Sequence, residues 1–168
     1  MAHARLPPVT HPSLGLPTRD RVAGLSAPAA RIDALRETLA ARALEIAIDR
    51  DPTLRERHDE IEMRRLLRDT MALIDVIVDS LAAGDSGPMR SYAEAVPPAY
   101  RRRKVPMDDL INLCESIRTA IAAVLDPTDL PPIDEALDVA IERFRWHRRI
   151  AGDARRRNRL LAAIYKGA

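Results

Sequence analysis

Two histidines, one cysteine, a pair of aspartates and a run of arginines are the side chains of this sequence with the most chemistry in them. His147 lies in Phe144-Arg145-Trp146-His147-Arg148-Arg149, in phase with an apolar helical stripe. An imidazole there can ligate haem or a metal ion, or titrate near neutral pH. Trp146 beside it offers a flat apolar surface, so Trp146 and His147 form one candidate ligand site. A tetrapyrrole pocket, however, draws on aromatic and apolar lining, and only 3% of this chain is aromatic. His147 is therefore expected to point inward as a neutral, hydrogen-bonded ring, with Arg143, Arg148 and Arg149 disfavouring its charged form. No resident cofactor is expected; haem or another tetrapyrrole is the runner-up.

His58, in Arg57-His58-Asp59-Glu60-Ile61-Glu62, is the second candidate ligand-binding histidine. A di-iron bundle needs Glu-x-x-His on two helices, and no Glu-x-x-His occurs, so no metal is expected. Cys114 falls on the inward face of an apolar helix, where a thiol behaves as a small hydrophobe rather than a nucleophile. Asp75 and Asp79 are one turn apart but point away from the apolar seam, onto a solvated face. The Arg143–Arg159 cluster could hold phosphates. It follows an acidic half-helix, however, which is the arrangement that dipole and solubility alone favour, and nucleic acid is not expected as a partner. No glycine-rich phosphate loop or Ser-His-Asp set stands out. Nothing here argues for an enzyme.

The elements that position these residues are all helical. Four prolines, Pro7, Pro8, Pro12 and Pro17, fall in residues 1–26 without apolar periodicity, which predicts a disordered arm. Residues 27–168 are expected to form a single helical domain. A first helix is predicted from Pro28 to about Arg50, with Ile32, Leu35, Leu39, Ala43 and Ile46 on one face. After Asp51-Pro52 comes a long second helix with the seam Met63, Leu67, Thr70, Ile74, Ile77 and Leu81, ending at Gly84. A third starts at Pro88 and breaks at Pro97-Pro98, followed by a short turn from Tyr100 to Arg103. Pro106 suits the first turn of a fourth helix, whose dipole favours Asp108 and Asp109. A fifth, with Ile133, Leu137, Ala140, Phe144, His147 and Ala151, is expected to run past Gly152. The second and last should be the longest. The fold class predicted is all-α, a globin-like or up-down bundle of about five helices.

Composition bounds the rest. A chain of 168 residues can bury a core without cross-links. Net charge is only +2, and of 27 basic residues only Lys104 and Lys166 are lysine, a skew that reads as coding bias. The single cysteine rules out an internal disulfide and fits a reducing cytoplasm. The most apolar run, 71–83, is interrupted by Asp75 and Asp79 and is too short to span a bilayer. A cytoplasmic protein with no membrane association is expected.

The residues Tyr92-Ala93, Tyr100-Arg101-Arg102-Arg103, Val105-Pro106-Met107-Asp108-Asp109-Leu110 and Leu113-Cys114-Glu115 together resemble the N-terminal sensory domain of RsbR/RsbRD-type stressosome co-antagonists. Related modules precede the DNA-binding part of PucR-like regulators. The resemblance covers roughly residues 32–150 and is most specific at the Pro106 junction. It implies an all-α domain without a catalytic centre, which dimerises and passes a ligand or partner signal to an output domain. Two departures stand out: Lys104 occupies a position where the family often has Gly, and no STAS domain or helix-turn-helix follows the last helix. Output is therefore expected through a separate regulatory or assembly protein. A homodimer is expected to use apolar positions left over from the core, with Val76, Leu160, Leu161, Ile164 and Tyr165 as candidates. The alternatives are a small-ligand binder using His147 or His58, and an adaptor docking through its arm or its tail.

Overall fold

The computed structural model describes residues 24–157, with side chains through Ala151. The helices are α1 (Ala27–Ala34), α2 (Arg36–Arg50), α3 (Leu54–Arg57), α4 (Glu60–Ala83), α5 (Gly87–Ala95), α6 (Pro97–Arg102), α7 (Met107–Ala122) and α8 (Pro131–Arg157). A 3-10 turn at Pro127–Asp129 precedes α8. No strand occurs among the described residues, and the fold is all-α as the sequence predicts. The predicted arm, apart from its last residues, and the tail residues Leu160, Leu161, Ile164 and Tyr165 lie outside the described residues.

The five longer helices form a ring of packed neighbours in the order α2, α7, α8, α5, α4 and back to α2, with α1 laid against α4. Their apolar stripes meet in one core that includes Ile74 and Ile77 of α4, Met89 of α5, Ile117 and Ile121 of α7, and Leu137 and Phe144 of α8. The face of α2 consists of Leu39, Ala40, Ala43 and Ala47. Its alanines allow close approach, and Asn112 of α7 donates to the carbonyl of Ala47 at 2.8 Å. As expected, α4 and α8 are the longest helices, at 24 and 27 residues, and α8 continues through Gly152. Among the described residues no helix is long and apolar enough to cross a membrane.

Several boundaries differ from expectation. The first helix is broken at Leu35 (φ −101°, ψ 8°), whose N–H is shared between the carbonyls of Arg31 and Ile32, each at 3.2 Å. The break turns the stripe, so Ala40 and Ala47 are buried while Leu35 and Ile46 lie at the edge. Asp51 does not cap the long helix: it accepts from the Thr53 N–H at 3.1 Å, ahead of the single turn of α3, whose N-cap is Thr53. The N-cap of α4 is Asp59, which accepts from the Glu62 N–H at 2.7 Å, and Glu62 three residues on completes the sequence pattern of a capping box. The break before Pro97 is present, but Tyr100 to Arg102 complete α6 instead of forming a turn. Pro106 sits just outside α7 as its N-cap (φ −64°, ψ 147°).

Two helices end in the same way. Gly84 (φ 74°) closes α4 and Lys104 (φ 61°) closes α6, both left-handed. At Lys104 the N–H bonds Arg101 O and the next N–H, that of Val105, bonds Tyr100 O, both at 3.0 Å. This is a Schellman pattern, sealed by apolar contact between its flanking residues, and here Val105 and Tyr100 are both buried. A lysine at positive φ costs about 1–2 kcal/mol in steric strain, partly offset by the greater unfolded-state freedom of a glycine. Lys104→Gly is therefore expected to stabilise the protein by about 0.5–1 kcal/mol, read as a rise in the urea midpoint at constant slope.

Candidate functional site

The segment from Tyr100 to Asp109 joins three parts of the bundle, and its basic run is distributed among them. Arg101 reaches α8, its guanidinium donating to Nδ1 of His147 at 3.3 Å. Arg103 turns to α4, where Nε donates to Glu62 at 2.9 Å and Nη2 lies 2.7 Å from Asp69. These two acids are seven residues apart on one helix face, so a single guanidinium bridges both. The same guanidinium carbon sits 5.0 Å from the ring centre of Tyr100. Beneath it Tyr100 donates its hydroxyl to Tyr92, and burial pushes the Tyr92 phenol up to about 12 and that of Tyr100 further still.

The first turn of α7 then separates its two acids. Asp108 is exposed and pairs with Arg148 of α8 at 2.5 Å. Asp109, 2% exposed, faces inward and accepts from Arg57 Nη2 at 2.6 Å and from His58 Nε2 at 2.6 Å. An ionised carboxylate only accepts, so Nε2 carries the proton in this pair. Arg57 also binds Asp51 at 2.7 Å, and this contact, after the Thr53 hydrogen bond, holds the Asp51 carboxyl below its ordinary value. The buried Asp109–His58 pair is the functional-looking cluster that sequence reasoning missed. Its signal was phase: Asp109 shares the face of Leu113, Ser116 and Ile117, all buried, whereas Asp108 does not.

His147 and Trp146 are neighbours, their rings edge to face at 4.8 Å, yet they address different surroundings. The His147 ring lies at the rim of the core, half-buried, and not inside it as the stripe suggested. Burial first, then Arg101 and Arg143, lower its pKa, with Glu94 opposing. Arg101, which the sequence did not single out, takes the place expected of Arg148 and Arg149. Trp146 points outward, 42% exposed, into a groove of about 560 Å³ that it shares with Arg90, Glu142, Arg143, Arg145 and Arg149. Arg143 pairs with Glu94 at 2.6 Å and lies 5.9 Å from the Trp146 ring centre. Arg90, Arg145 and Arg149 make no ion pair among the described side chains. One turn beyond Trp146, Ile150 is 43% exposed. His58 belongs to neither residue's surroundings.

The remaining candidates are structural. Cys114 is fully buried, and burial pushes its thiol up to about 12, which removes the thiolate a nucleophile needs. Asp79 is exposed as expected, but Asp75 is half-buried and takes both oxygens to Arg36 of α2, at 3.1 and 2.9 Å. Val76 is partly buried, packed against the edge of the core. The large exposed apolar side chains among the described residues are Ile61, Trp146 and Ile150. No group of acids, histidines or cysteines suited to a metal ion occurs among the described residues. No family model matches the chain, and a comparison with curated proteins finds no match either.

Proposed function

We propose that this chain is a non-enzymatic regulatory module of the stressosome co-antagonist type, acting in the cytoplasm by binding protein partners, a second copy of itself included. The Tyr100–Leu110 segment supports the family reading. The observation that carries the binding surface is the outer face of α8, where Trp146 and Ile150 stand exposed one turn apart beside Arg145 and Arg149, which make no ion pair among the described side chains. Tryptophan and arginine are the residue types that most often dominate interface energies. The acidic half of the same helix, with Glu135 and Glu142 exposed and Asp138 paired with Arg118, gives an antiparallel second copy opposite charge, chiefly Glu135 and Glu142, to meet Arg145 and Arg149. Small-ligand binding is the second reading, and a trough beside His58 is the observation that favours it.

Sedimentation of the full chain over a range of concentrations tests the first reading. The wild type should dimerise, and Trp146→Ala should weaken the dimer by about 2 kcal/mol, roughly thirtyfold, with the helical circular dichroism unchanged. A wild-type monomer at high concentration, or an unaltered dimer in the variant, refutes association through this face.

A further inference from the structure

On a different face from the α8 groove, α2, α3 and α4 border a trough of about 480 Å³. Leu44, Ile48, Met63 and Leu67 line it, each only partly buried against the core. His58 and Arg55 supply polar atoms. The His58 side chain is 4% exposed and commits Nε2 to Asp109; Nδ1 has no partner among the described residues. Arg55 is exposed and likewise has no ion pair among them. Glu60 and Arg64, which also border the trough, are paired with each other and leave it no net charge of their own. The trough thus combines an apolar lining with one cation that has no ion pair among the described residues, and it is bordered by an imidazole whose Nε2 is held by Asp109 and whose Nδ1 has no partner among them.

We propose that this trough binds a small apolar monocarboxylic acid. The hydrocarbon body lies on Leu44, Ile48, Met63 and Leu67, and the carboxyl group is held between Arg55 and Nδ1 of His58. Acid and imidazole share one proton along the Nδ1–oxygen line, while Asp109 keeps its bond to Nε2 and fixes the ring plane. The single positive charge of Arg55 matches a single carboxylate, and the volume suits a chain or ring of modest size. An alcohol of the same length would keep the apolar contact and lose the charge-assisted one.

The test is a titration of the isotope-labelled full chain with octanoate and, in parallel, octanol, followed at the His58 ring nitrogens. Octanoate should give saturable shifts, and octanol should bind about tenfold more weakly. His58→Gln keeps an amide donor for Asp109 where Nε2 stood but removes Nδ1. Arg55→Gln alters an exposed position and leaves the core intact. Each should weaken octanoate about tenfold; neither should alter self-association through α8, so this proposal and the α8 reading stand or fall separately. Absence of saturable shifts in the wild type, equal affinity for octanol, or unchanged octanoate affinity in a folded Arg55→Gln protein overturns it.

Discussion

Asp109→Ala is expected to destabilise the protein by about 3 kcal/mol, a large share of the margin of a single domain. The carboxylate holds two donors that arrive from a segment 51 and 52 residues away. Without it the Nε2–H of a 4% exposed imidazole has no acceptor. Arg57, 34% exposed, still reaches Asp51 and solvent, which keeps the loss at the low end of the range for a broken buried pair. Asp109→Asn retains an acceptor and should cost about half as much. Urea unfolding measures both; a loss under about 1 kcal/mol for the alanine variant would show that the pair contributes little in solution.

Phe144→Ala should cost more, about 4 kcal/mol. Phe144 is the chain's only phenylalanine and is 1% exposed. With Leu73, Tyr92, Tyr100, Leu110 and Leu113 it lines one small interior space where α4, α5, α6, α7 and α8 meet. Tyr92 and Tyr100 are tied by their shared hydrogen bond and Arg103, so the surroundings can collapse only partly around the missing ring. The same unfolding experiment reports it, and a cost below about 2 kcal/mol would mean that neighbouring side chains refill the space.

Helix type and most termini were legible because they rest on local physics. The four-three spacing through Leu67, Thr70, Ile74 and Ile77 places one apolar stripe on one side of α4. Gly84, the Pro97-Pro98 pair and Pro131 interrupt or open helices by backbone geometry alone. The break at Leu35 was not legible, since leucine is a good helix former and is in phase there. Packing α1 on α4 and α2 on α7 sets that bend. The Asp109 pairing was obscured for the opposite reason: an acid in a first helical turn is already satisfied by the dipole, so nothing local calls for a partner far away in sequence. Trp146 was paired with His147 because adjacency in sequence suggested a shared inward pocket. Neighbours on a helix differ by about 100° in direction, and here one faces the rim of the core and the other the solvent.

That angular step has a further consequence at the start of α7. Asp108 and Asp109 work only because each occupies its own azimuth, one toward Arg148 and the other toward His58. A single residue inserted or deleted between Asp109 and Leu113, with the buried stripe of Leu113 and Ile117 kept on the core, would turn both by about 100° and break both attachments together. What is fixed among descendants of this chain is therefore the register of the acid pair on the stripe of α7, the number of residues between Asp109 and Leu113.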